Sequence, residues 1–153
     1  MGKPKVVDNN QKVIIVPCSG IGKTYGSVSR EAAYELVENV RPDQTRLVPL
    51  SLLVLGDPHS QQALAQNPAV TIDGCKLACA NKMVMESGGQ LAKEFAVLDV
   101  YRKNRQLKPK GIAALNQAGK ELARVLAEDA AEVVDKLRQG FQIDVDGEGG
   151  RDG

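Results

Sequence analysis

Residues Lys12–Val16 (KVIIV) are a short run of mostly β-branched apolar residues, closed by Pro17 and followed at once by a glycine-rich turn, PCSGIGKTYG. Such a run, apolar on both sides, reads as a strand covered on both faces. Beyond the turn, Val28, Ala32, Leu36 and Val40 recur every four residues, with Ala33 and Val37 beside them. That is one face of an amphipathic helix over Ser27 to Val40, ended by Arg41–Pro42–Asp43. A buried strand feeding a helix through a tight turn is the first half of a βαβ unit, and it demands a parallel partner strand.

The rest of the chain supplies candidates. Thr45–Leu50 is a second strand, weakened at Pro49. Ser51–Leu55 is open between strand and short helix, Gly56–Asp57–Pro58 is a turn, and Ser60–Gln66 is a short helix stopped at Asn67–Pro68. Ala69–Asp73 is a third strand. Gly74 turns the chain into a helix over Cys75–Met85, and Phe95–Val100 (FAVLDV) is a fourth strand. From about Gly111 the residues Leu115, Leu122, Leu126, Val133 and Leu137 trace a long amphipathic helix. The expected fold is α/β: a three-layer, Rossmann-like sandwich of about four mostly parallel strands with helices on both faces. Residues 1–11 read as a flexible lead-in, 12–140 as a single domain, and 141–153, Gly-rich and acidic, as a disordered tail. A length of 153 residues suits one domain of this kind.

Composition removes several functions. Aromatic residues are 3% of the chain and Trp is absent, which argues against a base-stacking nucleic-acid surface. Twenty Lys and Arg against 19 Asp and Glu imply no bulk electrostatic partner. Apolar runs are too short for a membrane span, and Met1–Asn10 lacks a signal peptide's apolar stretch. A cytoplasmic protein is expected. There, three cysteines are core filler, nucleophiles or metal ligands.

In open parallel sheets, ligands bind beyond the carboxyl ends of the strands where strand order reverses. Cys18 follows the first strand and Cys75 the third. In a 2-1-3-4 order both turns face one crevice, and Cys79 lies four residues past Cys75, on the same helical face. Three sulfurs suit zinc, at about 2.3 Å each, or an iron–sulfur cluster with one open iron. His59, the sole histidine, is the best protein candidate for a fourth ligand. Asp73 is expected to cap the following helix.

The loop itself offers an anion site: Ser19, Gly20, Gly22, Lys23, Thr24 and Gly26 present backbone N–H groups ahead of a helix. Gly22–Lys23–Thr24 matches the end of a nucleotide-binding P-loop, but Pro17 stands where that motif needs Gly. Tight packing would explain the same glycines. Cys18, facing a helix N-terminus with Lys23 nearby, is expected to be thiolate-rich. The basic stretch Arg102, Lys103, Arg105, Lys108 and Lys110 reads as a solvated loop, with a phosphate-bearing ligand as the alternative.

The segments PCSGIGKTYGSVSREAAYELVE, LLVLGD and TIDGCKLACANK, together with LKPKGI, resemble the DGC domain family, named for an Asp-Gly-Cys motif that stands here as Asp73–Gly74–Cys75. The likeness runs from about Val13 to Leu137. It implies a zinc-binding protein of no established activity, with zinc held by four cysteines. Cys18, Cys75 and Cys79 match three of them; the fourth, expected near the second strand, has no counterpart here. The leading expectation is therefore a zinc-binding crevice beside a small-anion loop. The alternatives are a thiol enzyme or redox protein with Cys18 as nucleophile, a nucleotide-binding module, and a partner-binding scaffold. Whether the protein is an enzyme stays open at this point.

Overall fold

The structure, a computed structural model, describes residues 12–18, 20 and 22–146, with side chains as far as residue 139. Four parallel strands form one sheet in the order β2-β1-β3-β4: β1 is Val13–Pro17, β2 Thr45–Leu47, β3 Pro68–Asp73 and β4 Gln90–Ala96. The helices are α1 (Thr24–Glu35), α2 (Leu50–Leu55), α3 (Pro58–Gln66), α4 (Cys79–Glu86), α5 (Val97–Lys103) and α6 (Gln117–Asp146). This is the α/β sandwich expected, with the 2-1-3-4 order that puts the reversal between β1 and β3.

Side-chain alternation divides the interior in two. Val13 and Ile15 of β1, with Val70 and Ile72 of β3, pack against residues of α1, α5 and α6. Ile14, Val16 and then Cys18 face the opposite way, into a second core with residues of α2, α3 and α4. Cys18 thus continues the even-numbered face of β1 just past its end. Its N–H still donates to the Ile72 carbonyl at 3.0 Å, so it is held to the end of β3.

Local chemistry sets the element boundaries. Asp57 caps α3, accepting from the Ser60 N–H at 2.9 Å and the Ser60 hydroxyl at 2.8 Å, with Pro58 in the first turn. The ambiguous Ser51–Leu55 stretch is helical, and α2 ends at Gly56 with φ of 77°. The first amphipathic helix is α-helical only to Glu35 and closes in a π-helical turn, Leu36–Val40.

Several boundaries differ from expectation: β2 stops at Leu47 and not Leu50, α1 starts at Thr24 and not Ser27, and α3 starts at Pro58 and not Ser60. FAVLDV is not the fourth strand: β4 ends at Ala96 and the next residues form α5. β4 is an edge strand, mostly exposed, so only Leu91 and Phe95 carry its apolar signal. Val97 and Val100 are buried with Tyr101 beside them, the i, i+3, i+4 set of a helix packed on α1 and α6. The helix after Gly74 begins at Cys79 and not at Cys75. The last helix begins at Gln117, and residues 104–116 are an irregular loop. α6 continues to Asp146. Of the tail expected over 141–153, residues 141–146 are instead the end of α6, while 147–153, like the lead-in 1–11, lie outside the described residues. Among the described residues no helix is long and apolar enough to cross a membrane.

Candidate functional site: a cysteine-lined crevice at the strand-order reversal

The loops leaving β1 and β3 meet through glycine. A Cβ on Gly26 would lie 2.1 Å from the Gly20 Cα, and one on Gly20 would lie 2.3 Å from the Gly26 Cα. A Cβ on Gly74 would come within 2.8 Å of the Gly26 nitrogen. Three backbones are therefore in direct contact, and none tolerates a side chain. Gly20 also has φ of 62°, the left-handed region that favours glycine. Gly20 and Gly26, expected to cradle an anion, are thus required first to let the turn after β1 fold back on the start of α1, and Gly74 to let the loop after β3 touch that helix.

This closure shapes a crevice of about 260 Å³ lined by Cys18, Cys75 and Cys79, with Lys23, Asp73 and Leu77 among its other walls. The topology thus places every cysteine of the chain on one cavity. Their exposures differ: Cys18 is buried, Cys75 half-buried and Cys79 exposed. Cys75 sits in the turn before α4 and Cys79 in the first turn of that helix. The expected common helical face does not exist; it is the folded-back loop 74–78 that brings the two thiols to one cavity. Ala78 takes φ of 53° there, the only described non-glycine residue with positive φ.

Asp73 holds that loop. Its carboxylate accepts from the N–H groups of Ala80 (2.7 Å) and Asn81 (3.1 Å), so it caps α4 from before the loop. Burial pushes its pKa up, against the pull of these two hydrogen bonds. The Asp-Gly-Cys triplet thus divides its work: the aspartate anchors the helix, the glycine admits α1, and the cysteine lines the crevice.

The Cys18 sulfur accepts the Gly74 N–H at 3.3 Å. Ser29 is buried beside it and donates its hydroxyl to the Ile72 carbonyl at 2.6 Å. Burial pushes the Cys18 thiol up, outweighing the opposite pull of the neighbouring Ser29 hydroxyl and of the Gly74 N–H; Asp73 and Cys75 push it the same way as burial. The thiolate-rich Cys18 expected from the helix N-terminus is therefore corrected. Desolvation and neighbouring negative charge win, and the group is a neutral thiol at pH 7.

The remaining expected site residues divide as follows. Gly20, Lys23 and Gly26 line the crevice, and Gly22 lines an adjoining groove. Thr24 opens α1 and is in neither lining; Ser19 lies outside the described residues. His59 is exposed in the first turn of α3 and is not among the crevice walls, so its placement does not make it a fourth ligand. Among the described residues no three His, Cys, Asp or Glu side chains are gathered closely enough to hold an ion. The donor chemistry of the crevice, three thiols and no competing cation but Lys23, suits a soft metal in kind. Leu50 and Leu77, crevice walls that the sequence reading passed over, carry no motif; only the short α2 and the loop before α4 bring them there.

No curated protein and no solved structure matches this chain. The family model of the DGC domain matches residues 14–137, from β1 through most of α6. The chain belongs to the DGC domain family.

Proposed function

We propose that the crevice is a thiolate metal site, with zinc its first candidate and an iron–sulfur cluster the other occupant that three cysteine donors would accept. The single observation carrying this reading is that Cys18 lines one cavity with Cys75 and Cys79, a pair far from it in sequence. Cys18, Cys75 and Cys79 would hold the ion. With no histidine or fourth cysteine at the cavity, the donor set leaves a coordination position for water or a small ligand. Lys23 and the loop glycines lining the same cavity favour an anionic one.

The state of Cys18 fits this reading better than nucleophilic catalysis. A buried thiol beside Asp73 and Cys75 needs a cation to ionise, and a bound metal supplies one. A thiol enzyme instead needs a thiolate before substrate arrives. The P-loop alternative loses further ground, because Gly20 and Gly26 are pressed against each other and Thr24 lines neither the crevice nor the adjoining groove.

The test is elemental analysis of protein purified without added metal, paired with thiol titration. About one equivalent of zinc is expected, or about four of iron with as much acid-labile sulfide if a cluster is the occupant, with the thiols protected until a chelator is added. Single replacement of Cys18, Cys75 or Cys79 by Ser should lower that content. Less than roughly a tenth of an equivalent, with all thiols freely titratable after zinc is offered, overturns the proposal.

A further inference from the structure

The three thiols of the crevice are graded in access, from exposed Cys79 through half-buried Cys75 to buried Cys18. Backbone pairing brings the last two together. The register sets Pro17 of β1 against Ile72 of β3, and the Cys18 N–H still bonds the Ile72 carbonyl at 3.0 Å. Neighbouring strands lie about 4.8 Å apart, so the Cys18 backbone stands beside that of Asp73, two residues before Cys75. Its sulfur reaches further along the turn and accepts the Gly74 N–H at 3.3 Å, from the residue joined directly to Cys75. Both cysteines line the same cavity, and Cys75 is among the groups that push the Cys18 thiol up.

The turn that carries Cys75 is held by its backbone. Asp73 is fixed through its bonds to the N–H groups of Ala80 and Asn81, and the Ala78 N–H donates to the Cys75 carbonyl at 3.2 Å. Cys18 lies between two openings, the crevice and the adjoining groove of about 470 Å³, which Ile112 and Ala113 of the loop 104–116 help to close. Because Cys75 is the more exposed of the pair, a small reagent entering the crevice meets it before Cys18. A disulfide needs only two sulfurs within reach, which is less than an ion asks of three.

We propose that Cys75 and Cys18 form a reversible disulfide, with a low-molecular-weight disulfide as the oxidant. The Cys75 thiolate attacks one sulfur of the reagent, the reagent's S–S bond breaks, and one thiol leaves a mixed disulfide on Cys75. Cys18 then attacks the Cys75 sulfur, and the second thiol departs with the Cys18 proton. Two electrons pass from the protein pair to the reagent, which ends as two thiols. The bond staples the turn after β1 to the turn after β3. It does not rest on a metal being bound; where the crevice holds one, the bond withdraws two of its three donors, so oxidation and metal occupancy exclude each other.

The test treats the folded full chain, stripped with chelator, with bis(hydroxyethyl) disulfide, quenches with acid and maps the tryptic peptides. Cleavage after Lys12, Lys23, Arg46, Lys76 and Lys82 puts each cysteine in its own peptide, so every pairing has a distinct mass. The expected product is lighter than the parent by two hydrogens, joins peptide 13–23 to peptide 47–76, and reverts with dithiothreitol. Because the bond closes a long loop, its melting temperature should rise by about 10 °C. Cys75→Ser should leave Cys18 a free thiol under the same treatment. A bond from Cys79 to either other cysteine, a mixed disulfide that persists on Cys75, three thiols left free, a bond that forms only in urea or one that lowers the melting temperature overturns the proposal. Peptide mapping of the unaltered protein decides the matter even if the Cys75 variant folds poorly. Metal is absent throughout, so failure here is distinct from failure of the zinc reading, which elemental analysis judges alone.

Discussion

Replacing Gly26 by Ala sets two effects of opposite sign against each other. Gly26 lies within α1, where alanine is the better helix former by about 1 kcal/mol. Propensity alone therefore predicts stabilisation. The new Cβ, however, would lie 2.1 Å from the Gly20 Cα and 2.6 Å from its carbonyl oxygen, whereas carbon atoms rest about 3.5–4.0 Å apart. The neighbour is backbone, so no rotamer change relieves the clash, and the loop must move by about 1.5 Å. Overpacking costs typically 1–3 kcal/mol, and this geometry belongs near the upper limit. The net expectation is destabilisation of about 2 kcal/mol, which in a chain of this size lowers the melting temperature by roughly 4–8 °C. Gly20→Ala should be worse, since it meets Gly26 at 2.3 Å and adds the left-handed strain of φ 62°. Gly22→Ala has nothing within 4 Å and bears only the strain of φ 80°, about 1 kcal/mol. Urea denaturation with an unchanged m value gives the ranking directly. A Gly26→Ala protein as stable as the parent, or a Gly22→Ala protein less stable than both others, would refute the argument that loop contact fixes these glycines.

Other perturbations read different parts of the structure. Thr71 is fully buried and its hydroxyl has no hydrogen-bond partner among the described residues, so Thr71→Val should stabilise by about 1 kcal/mol in denaturant melts; a loss of stability would show a partner for that hydroxyl. Asp73→Ala removes both bonds to the α4 N-terminus and should cost about 1–2 kcal/mol, with exchange protection falling first at Ala80 and Asn81; unchanged protection there would dismiss the capping role. Arg41 and Asp135 form a two-bond ion pair at 2.8–2.9 Å that lowers the Asp135 pKa. Because the folded value lies below the unfolded one, its contribution is complete above the ordinary aspartate range and is lost as pH falls through the folded value. Both partners are partly exposed, so Asp135→Asn should cost no more than about 1 kcal/mol at neutral pH, and less as the pH falls through the folded value. In metal-free protein at pH 7.5, iodoacetamide should modify exposed Cys79 at least about tenfold faster than Cys18; mass spectrometry showing Cys18 modified first would reverse the sign of its shift.

The architecture was readable because it rests on patterns that survive in a single chain. KVIIV with its glycine turn demanded a buried strand and a crossover, and alternating strands and helices implied a parallel sheet, for which the 2-1-3-4 order was a condition of the reading and is the order found. From that order the convergence of Cys18 and Cys75 followed without any knowledge of side chains. What escaped was decided by tertiary contact. β4 offers its apolar residues at only two positions because it is an edge strand, so the denser FAVLDV run took its place in the reading. A four-residue cysteine spacing implies a shared helical face only if the helix starts early enough, and Asp73 delays it to Cys79. The sign of the Cys18 shift depends on desolvation, which no local motif reports. The loop 104–116 has no periodicity, so the groove it completes left no trace in the hydrophobic pattern.

The contact between the two loops ties the fold to the chemistry of the crevice. Gly74 serves both: its missing side chain admits the backbone of Tyr25 and Gly26, and its N–H bonds the Cys18 sulfur at 3.3 Å. A larger residue at Gly74 would push α1 away from β3 and, by the same motion, withdraw the donor from Cys18. Gly74→Ala should therefore lower stability by about 1–3 kcal/mol, because the contacts of 2.8–2.9 Å are with backbone atoms. It should also raise the alkaline midpoint of Cys18 ionisation further, since the Gly74 N–H bond that favours the thiolate is lost. Thiolate absorbance near 240 nm, compared between Gly74→Ala with Cys18 intact and Gly74→Ala with Cys18→Ser, isolates that titration. A destabilised variant whose Cys18 midpoint stays in place would separate the packing role of Gly74 from its electrostatic one and would mean that burial alone sets the state of the thiol.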